Sequence, residues 1–305
     1  MAHPAATADA STAPSLDEET PLGDGWRPAD GGPRAGLSGL RAELDQIDDA
    51  VHDLLMRRAQ VVEQVARTGK PAAFRPGREA SIVRRLVKRH QGSLPAASLF
   101  RIWRELLAGT TSIQGGFSLA ICGSDPGAGL TQLAREHFGA LTPLRLHDNA
   151  AATLSAVGDG AASVAVLPFP SDINTWWVLL LHHEPRLHIV ARLPFWRDRP
   201  DGAPQLQALV IAAAPPDASA KDCSFIGLEC DSDISRPRLA DELTAAGLAC
   251  DTMVLLREQG AATAHVLAEV DGYVTDDDPR LSHLGAALRR PVVIGSYAVP
   301  FPEAT

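Results

Sequence analysis

Apolar residues recur at intervals of three and four from the start of the ordered-looking sequence: Leu40, Leu44, Ile47, Val51, Leu54, Leu55, Val62 and Val65. That period predicts a helix over about 38–68, ~45 Å long at 1.5 Å per residue. Such a length exceeds what one small bundle can cover and points to a dimer. The stretch "TGKPAAFRPG" breaks it. A second helix is expected from Pro76, whose fixed φ suits a first turn, to about residue 91. "GSLP" marks a stop and a restart, with Ser93 as the expected N-cap and Pro95 in the first turn. The third helix carries Leu99, Ile102, Trp103, Leu106, Thr110 and Ile113, and should end at Gly115-Gly116.

From Phe117 the period changes. "FSLAICG", "TPLRLHD" and "ASVAVLPF" read as strands, separated by the helices "GLTQLAREHFG" and "NAAATLSAVGDG". That alternation predicts a parallel sheet. "INTWWVLLLHH" is expected to be a helix, followed by the strands "RLHIVARLPF" and "LQALVIAAA" and the linker "PPDASAKD". The remainder reads βαββαβ, from "CSFIGLEC" to "RPVVIGSYAV", an order that fits a small ferredoxin-like sandwich.

Composition adds limits. The chain has 305 residues, 45% of them apolar and 21% charged, which suits a globular multidomain protein. Residues 1–38, rich in Ala, Pro, Gly, Ser and Asp, should form a disordered tail, without the basic start and apolar core of a secretory signal. No apolar run reaches the ~20 residues needed to cross a bilayer, so no membrane partner is expected. Cys122, Cys223, Cys230 and Cys250 lack metal-ligand spacing and read as reduced thiols of a cytoplasmic protein. Cys223 and Cys230, seven apart, would lie on opposite faces of one strand.

The net charge is −9, unevenly spread. Residues 39–115 hold 13 Lys+Arg and 8 Asp+Glu, giving +5, which leaves −14 for the rest. One basic helical segment in an acidic protein favours a small anionic ligand there over general nucleic-acid binding. Polar residues also interrupt each helical stripe: Arg41 and Arg58 in the first helix, Glu79 beside Arg78 in the second, Thr110 and then Gln114 in the third. Internal salt bridges or snorkelling would explain any one of them. As a set they suggest a buried excess of cations awaiting an anion, with a ligand group and the surrounding cations as partners of Glu79.

These residues carry a resemblance. "LRAELDQIDDAVHDLLMRRAQVVEQVA", the Arg-Glu pair of "RPGREASIVRRL" and "IWRELLAGTTSIQ" resemble the all-helical chorismate mutases, over residues 39–115. The resemblance implies an intertwined homodimer with shared active sites and chorismate as substrate. It implies that Arg41 reaches a substrate carboxylate in the partner's site and that Arg58 binds a carboxylate in its own. Lys70, one residue beyond the family's register, would contact a carboxylate and the ether oxygen. Arg78 would support the site electrostatically, Glu79 would accept the ring hydroxyl, Thr110 would stand where the family has a small hydroxyl residue, and Gln114 would donate to the ether oxygen. Rearrangement of chorismate to prephenate is one pericyclic step. It needs no metal and no cofactor, only a held conformation and donors on the oxygen that gains charge.

Residues 117–305 resemble, more weakly, the dehydratase and ACT regulatory regions that follow such mutases in bifunctional proteins of phenylalanine synthesis. The implied organisation is a dehydratase-like α/β lobe over 116–215 and an ACT-like βαββαβ domain over 220–305. A Glu-Asn-Ser sequence, a Thr-Arg-Phe motif and the ACT ligand motifs are missing, so the expectation is a mutase with a catalytically degenerate appendage. A working bifunctional mutase and dehydratase is the first alternative. A non-catalytic dimer binding DNA or an anionic metabolite is the second. "GSDPGAGLTQL" reads as a tight turn, "HHEPRLH" lacks zinc spacing, and "DDDP" reads as a solvated helix start.

Overall fold

The computed structural model describes residues 36–68, 74–123 and 129–301. Residues 1–35 of the expected tail, Lys70 and most of the turn in "GSDPGAGLTQL" lie outside them, and Leu37 and Ser38 already belong to the first helix. The chain divides into two compact units, Met1–Met56 and Arg57–Thr305. In the first, the described residues form the N-terminal part of α1 (Leu37–Arg67), and Leu37, Leu40, Leu44, Val51 and Leu54 are exposed along it. Among the described residues no helix is long and apolar enough to cross a membrane.

The second unit begins with the end of α1 and adds α2 (Pro76–Lys88) and α3 (Ala96–Ile113). Pro76 opens α2 as expected, but the helix stops three residues earlier than its apolar pattern suggested. The N-cap of α3 is Pro95, with no side-chain cap, and not Ser93. The buried face of α3 also differs from the expected stripe. Phe100, Arg104, Leu107, Thr110 and Thr111 point inward, whereas Ile102 and Ile113 are exposed. This helix is apolar on two faces, and periodicity alone does not say which one meets the core.

One nine-stranded sheet carries the rest. Its strands are β1 (Leu119–Cys122), β2 (Leu144–His147), β3 (Val164–Pro168), β4 (His188–Leu193), β5 (Ala208–Ala212), β6 (Asp222–Asp231), β7 (Cys250–Leu256), β8 (Thr263–Asp271) and β9 (Arg289–Ala298), in the order β2-β1-β3-β5-β4-β9-β6-β8-β7. The expected βαβαβ unit is present: β2, β1 and β3 are parallel, linked through α4 (Gly129–Phe138) and α5 (Ala150–Gly158). Asn149 caps α5 by accepting a hydrogen bond from the Ala152 amide at 2.9 Å, which satisfies one of the helix's free donors. Strand β3 alternates as a two-sided strand must. Val164 and Val166 join a core with Leu133 and Phe138 of α4, while Ala165 and Leu167 join a core with Leu154 and Val157 of α5.

The last four strands are antiparallel, and α6 (Arg236–Ala245) follows β6. Cys223 and Cys230 sit in different cores on opposite faces of β6, and all four cysteines are free. Two expected helices are reduced. "INTWWVLLLHH" forms a six-residue 3-10 helix, Trp176–Leu181, and the second helix of the C-terminal segment is a 3-10 turn, Pro279–His283. Three residues per turn put Trp177 and Leu180 on one side of so short an element, and Trp176 is buried as well. In "DDDP", Asp278 caps the turn through the Arg280 amide and Asp276 pairs with Arg186.

The two halves of the sheet meet where β4 runs beside β9 at Ile189 and Gly295. Gly295 has φ +152°, and a Cβ there would lie 2.2 Å from the Ile189 carbonyl oxygen. Neither the backbone conformation nor the space admits a side chain. Gly295→Ala is therefore expected to destabilise the fold by more than ~2 kcal/mol, measured as the loss of unfolding free energy in a denaturant titration.

Candidate active site

The site grows from three helices of the second unit. On α2 the positions Glu79, Ala80 and Val83 are buried. Burying a carboxylate in such a face is costly unless a partner is supplied. Here the partner is protein. Arg104 of α3, 3% exposed, places Nη2 3.1 Å from Glu79 Oε2, and Glu79 is 8% exposed. Of the cations expected around Glu79, the structure supplies Arg104 in direct contact. Arg104 is itself braced, since its Nε and Nη2 donate to the His137 carbonyl at the end of α4, at 2.9 and 2.8 Å.

Arg104 was readable in principle. It falls on the 100–104–107–111 face, at helical spacing. The apolar stripe through Leu99, Ile102 and Leu106 on another face of α3 obscures that signal in the sequence.

Around this pair, Arg58, Arg78, Glu79, Thr110 and Gln114 line one cavity of about 540 Å³, with Arg75, Arg85, Trp103 and Thr111. Arg58 Nη1 donates to Thr110 Oγ1 at 3.2 Å, and its guanidinium lies 5.8 Å from the Trp103 ring centre. The Thr110 hydroxyl lies 3.0 Å from the Leu106 and Leu107 carbonyls, and Gln114 Nε2 reaches the Thr110 carbonyl at 3.5 Å. Five of the seven sequence-derived site residues are thereby brought to one cavity. Arg41 stands exposed on α1 in the first unit, and Lys70 lies outside the described residues.

Burial dominates the electrostatics. It pushes the Glu79 carboxyl above its ordinary range; the Arg104 and Arg58 charges oppose the rise and Asp217 adds to it. Burial lowers Arg104 and Arg58 from the usual guanidinium range, with Glu79 opposing in both cases. Burial and the charge of Arg104 hold His137 well below the ordinary imidazole range, so it is neutral near pH 7. The arrangement can do a definite kind of chemistry. It offers several fixed cations and amide or hydroxyl groups around a partly apolar space, suited to gripping a compact polyanion. Among the described residues no group of His, Cys, Asp or Glu could hold a metal ion.

Removing one member of a buried ion pair leaves the other uncompensated. Arg104→Met is expected to cost ~3–5 kcal/mol of stability. Adding Glu79→Met to that variant should recover most of it, giving a large coupling energy in a double-mutant cycle followed by denaturant unfolding.

Residues 40–115 match the family described as chorismate mutase type II. A curated protein named bifunctional chorismate mutase/prephenate dehydratase, from Pseudomonas aeruginosa, is 27% identical over 144 residues, 43% of this chain and 38% of that protein. The chain thus spans well under half the length of that relative. Among solved structures, one described as GqqA, a novel type of quorum quenching acylase, aligns with a TM-score of 0.47 at 19% identity, over 60% of this chain and 96% of that one. Prephenate dehydratase from Streptococcus mutans aligns with a TM-score of 0.45 at 12% identity, over 59% and 97%. Residues 40–115 of this chain thus resemble the chorismate mutase type II family, and a mixed α/β sheet region follows them.

Proposed function

We propose that the protein is a chorismate mutase, an isomerase of aromatic amino-acid synthesis that converts chorismate to prephenate. The observation that carries the proposal is the meeting of Arg58, Arg78, Glu79, Thr110 and Gln114 around one cavity, inside the segment that matches the family. In this reading Arg58 grips one substrate carboxylate and Arg78 adds positive potential. Glu79, held by Arg104, accepts the ring hydroxyl. Gln114 and Lys70 donate to the ether oxygen, where charge grows as the bond breaks. Donors aimed at that oxygen favour the transition state over the substrate. Thr110 ties Arg58 to α3 and so fixes the direction of its guanidinium. The step itself needs no cofactor.

Residues 116–215 are proposed to be a dehydratase-like lobe that has lost its chemistry. The motivation is the absence from the sequence of Glu-Asn-Ser and Thr-Arg-Phe motifs. Residues 220–305 are proposed to be an ACT-like domain. The strand order β9-β6-β8-β7 supports a ferredoxin-like arrangement, with the second helix shortened. A cytoplasmic protein without nucleic-acid or membrane partners is the matching cellular reading. The purified protein should convert chorismate to prephenate and stop there. Prephenate is read as phenylpyruvate released by acid, and separately by an added dehydratase. No loss of chorismate sinks the mutase reading; phenylpyruvate formed at enzymatic rates without acid or added dehydratase would favour the bifunctional alternative.

The proposed assembly is a homodimer. Val61 and Val65, like Leu40, Leu44, Val51 and Leu54, are exposed apolar residues of α1, and no residue of that helix is buried. A second copy would cover them, and would deliver its Arg41 to the site. Arg41→Ala and Arg58→Ala should each lose most activity, by ~10²–10³ in kcat/KM. Once subunit exchange is verified with mass-tagged chains, mixing the two should restore about a quarter of wild-type sites, since each mixed two-fold dimer holds one intact site. Complete exchange without recovered activity argues against shared sites.

A further inference from the structure

The segment between β5 and β6, residues 213–221, reads in the sequence as a plain linker. In the structure it lies against α2. The N-cap position of α2 is Arg75, which supplies no side-chain cap, so the first amides of the helix need an acceptor from elsewhere. Asp217 supplies it. Its Oδ1 accepts from the Gly77 amide at 3.0 Å, and its Oδ2 accepts from the Arg78 amide and from Arg75 Nη2, both at 3.2 Å. The approach is close enough that a Cβ on Gly77 would lie 2.1 Å from the Asp217 carbonyl oxygen.

The segment is also tied on its far side. The Tyr273 hydroxyl, next to β8, donates to the Pro216 carbonyl at 2.8 Å. The Asp222 carboxylate, at the start of β6, accepts from the Ser219 amide and hydroxyl. Further along α2, Arg84 Nη1 donates to Ser219 Oγ at 3.0 Å and its Nη2 to the Lys221 carbonyl at 3.1 Å. The first turn of α2 holds Arg78 and Glu79, both on the wall of the candidate active site.

We infer that residues 215–222 form a strap from the α/β sheet that caps α2, with Asp217 a positioning residue setting Arg78 and Glu79 for the mutase reaction. The inference rests on the mutase reading given above. Under it, the α/β region acts on the site through backbone geometry, with no contact of its own to substrate. An electrostatic consequence accompanies the capping. Glu79 is faced by Arg104 of α3, Arg58 of α1 and Asp217 of the strap, with Arg75, Arg78 and Arg85 on the same cavity wall. The Asp217 charge raises the Glu79 carboxyl, so removing that charge lowers it.

The test compares the full-length wild type with Asp217→Ala, Asp217→Asn and Tyr273→Phe. Steady-state chorismate turnover is measured across pH, and amide exchange is measured over 75–80. Asp217→Ala should lower kcat/KM about tenfold and shift the acid-side inflection to lower pH. It should speed exchange at Gly77 and Arg78 by roughly fivefold or more, the scale of a lost cap. Asp217→Asn should reproduce the pH shift, and Tyr273→Phe should give a smaller loss of kcat/KM without one. Should the alanine variant fail to fold, the other two carry the same readouts. Wild-type kcat/KM and an unshifted profile in folded Asp217 variants overturn the proposal. A wild type that leaves chorismate unchanged removes the mutase reading. The strap is then decided by exchange alone, and unchanged protection at Gly77 and Arg78 in the variants overturns it.

Discussion

The buried pair of Glu79 and Arg104 is the interaction on which the helical region depends. Both side chains are nearly inaccessible, so each would carry a desolvation cost of several kcal/mol if left alone. The 3.1 Å contact offsets part of that cost. The paired hydrogen bonds from Arg104 to the His137 carbonyl supply the rest of its satisfaction. One guanidinium thereby joins α2, α3 and the end of α4. A carboxylate can stand in the wall of a cavity only because a cation behind it is fixed from two sides.

The same logic extends to the sheet. The helices of the site lie on an α/β platform that meets them at backbone level. Phe100 of α3 stacks against Phe195 at a centroid distance of 6.2 Å, and Ala80 and Val83 of α2 share a core with Phe195 and Ala298. Gly139 follows α4, and a Cβ there would lie 2.8 Å from the Ala108 methyl of α3. Gly77 plays a corresponding part where α2 meets the strap. Two glycines thus permit two close approaches, and each approach brings an acceptor, His137 or Asp217, to a group belonging to the site. The α/β region thereby fixes where the helices of the candidate site lie.

Much of this was legible in the chain because periodicity is a local property. The three helices, the βαβαβ unit and the split of Cys223 and Cys230 between two faces follow from spacings of 3.6 and 2. The polar interruptions Arg58, Glu79, Thr110 and Gln114 stood out because charge and hydroxyl groups rarely occupy a buried stripe without a purpose. Short elements were less legible. A six-residue apolar run such as "WWVLLL" fits a helix, a strand or a 3-10 turn equally well, and only its neighbours in space choose.

The sequence by itself determined the longer elements, the polar interruptions of their apolar stripes and the basic character of the helical segment. These depend on residue type and spacing along one chain. Tertiary structure decided which face of α3 is buried, that Glu79 answers to Arg104, and that α2 is capped by a residue about 140 positions away, as Gly77 and Asp217 are. Such partners are invisible to local pattern, because the free energy of burying a charge or an amide depends on what arrives beside it from distant parts of the chain.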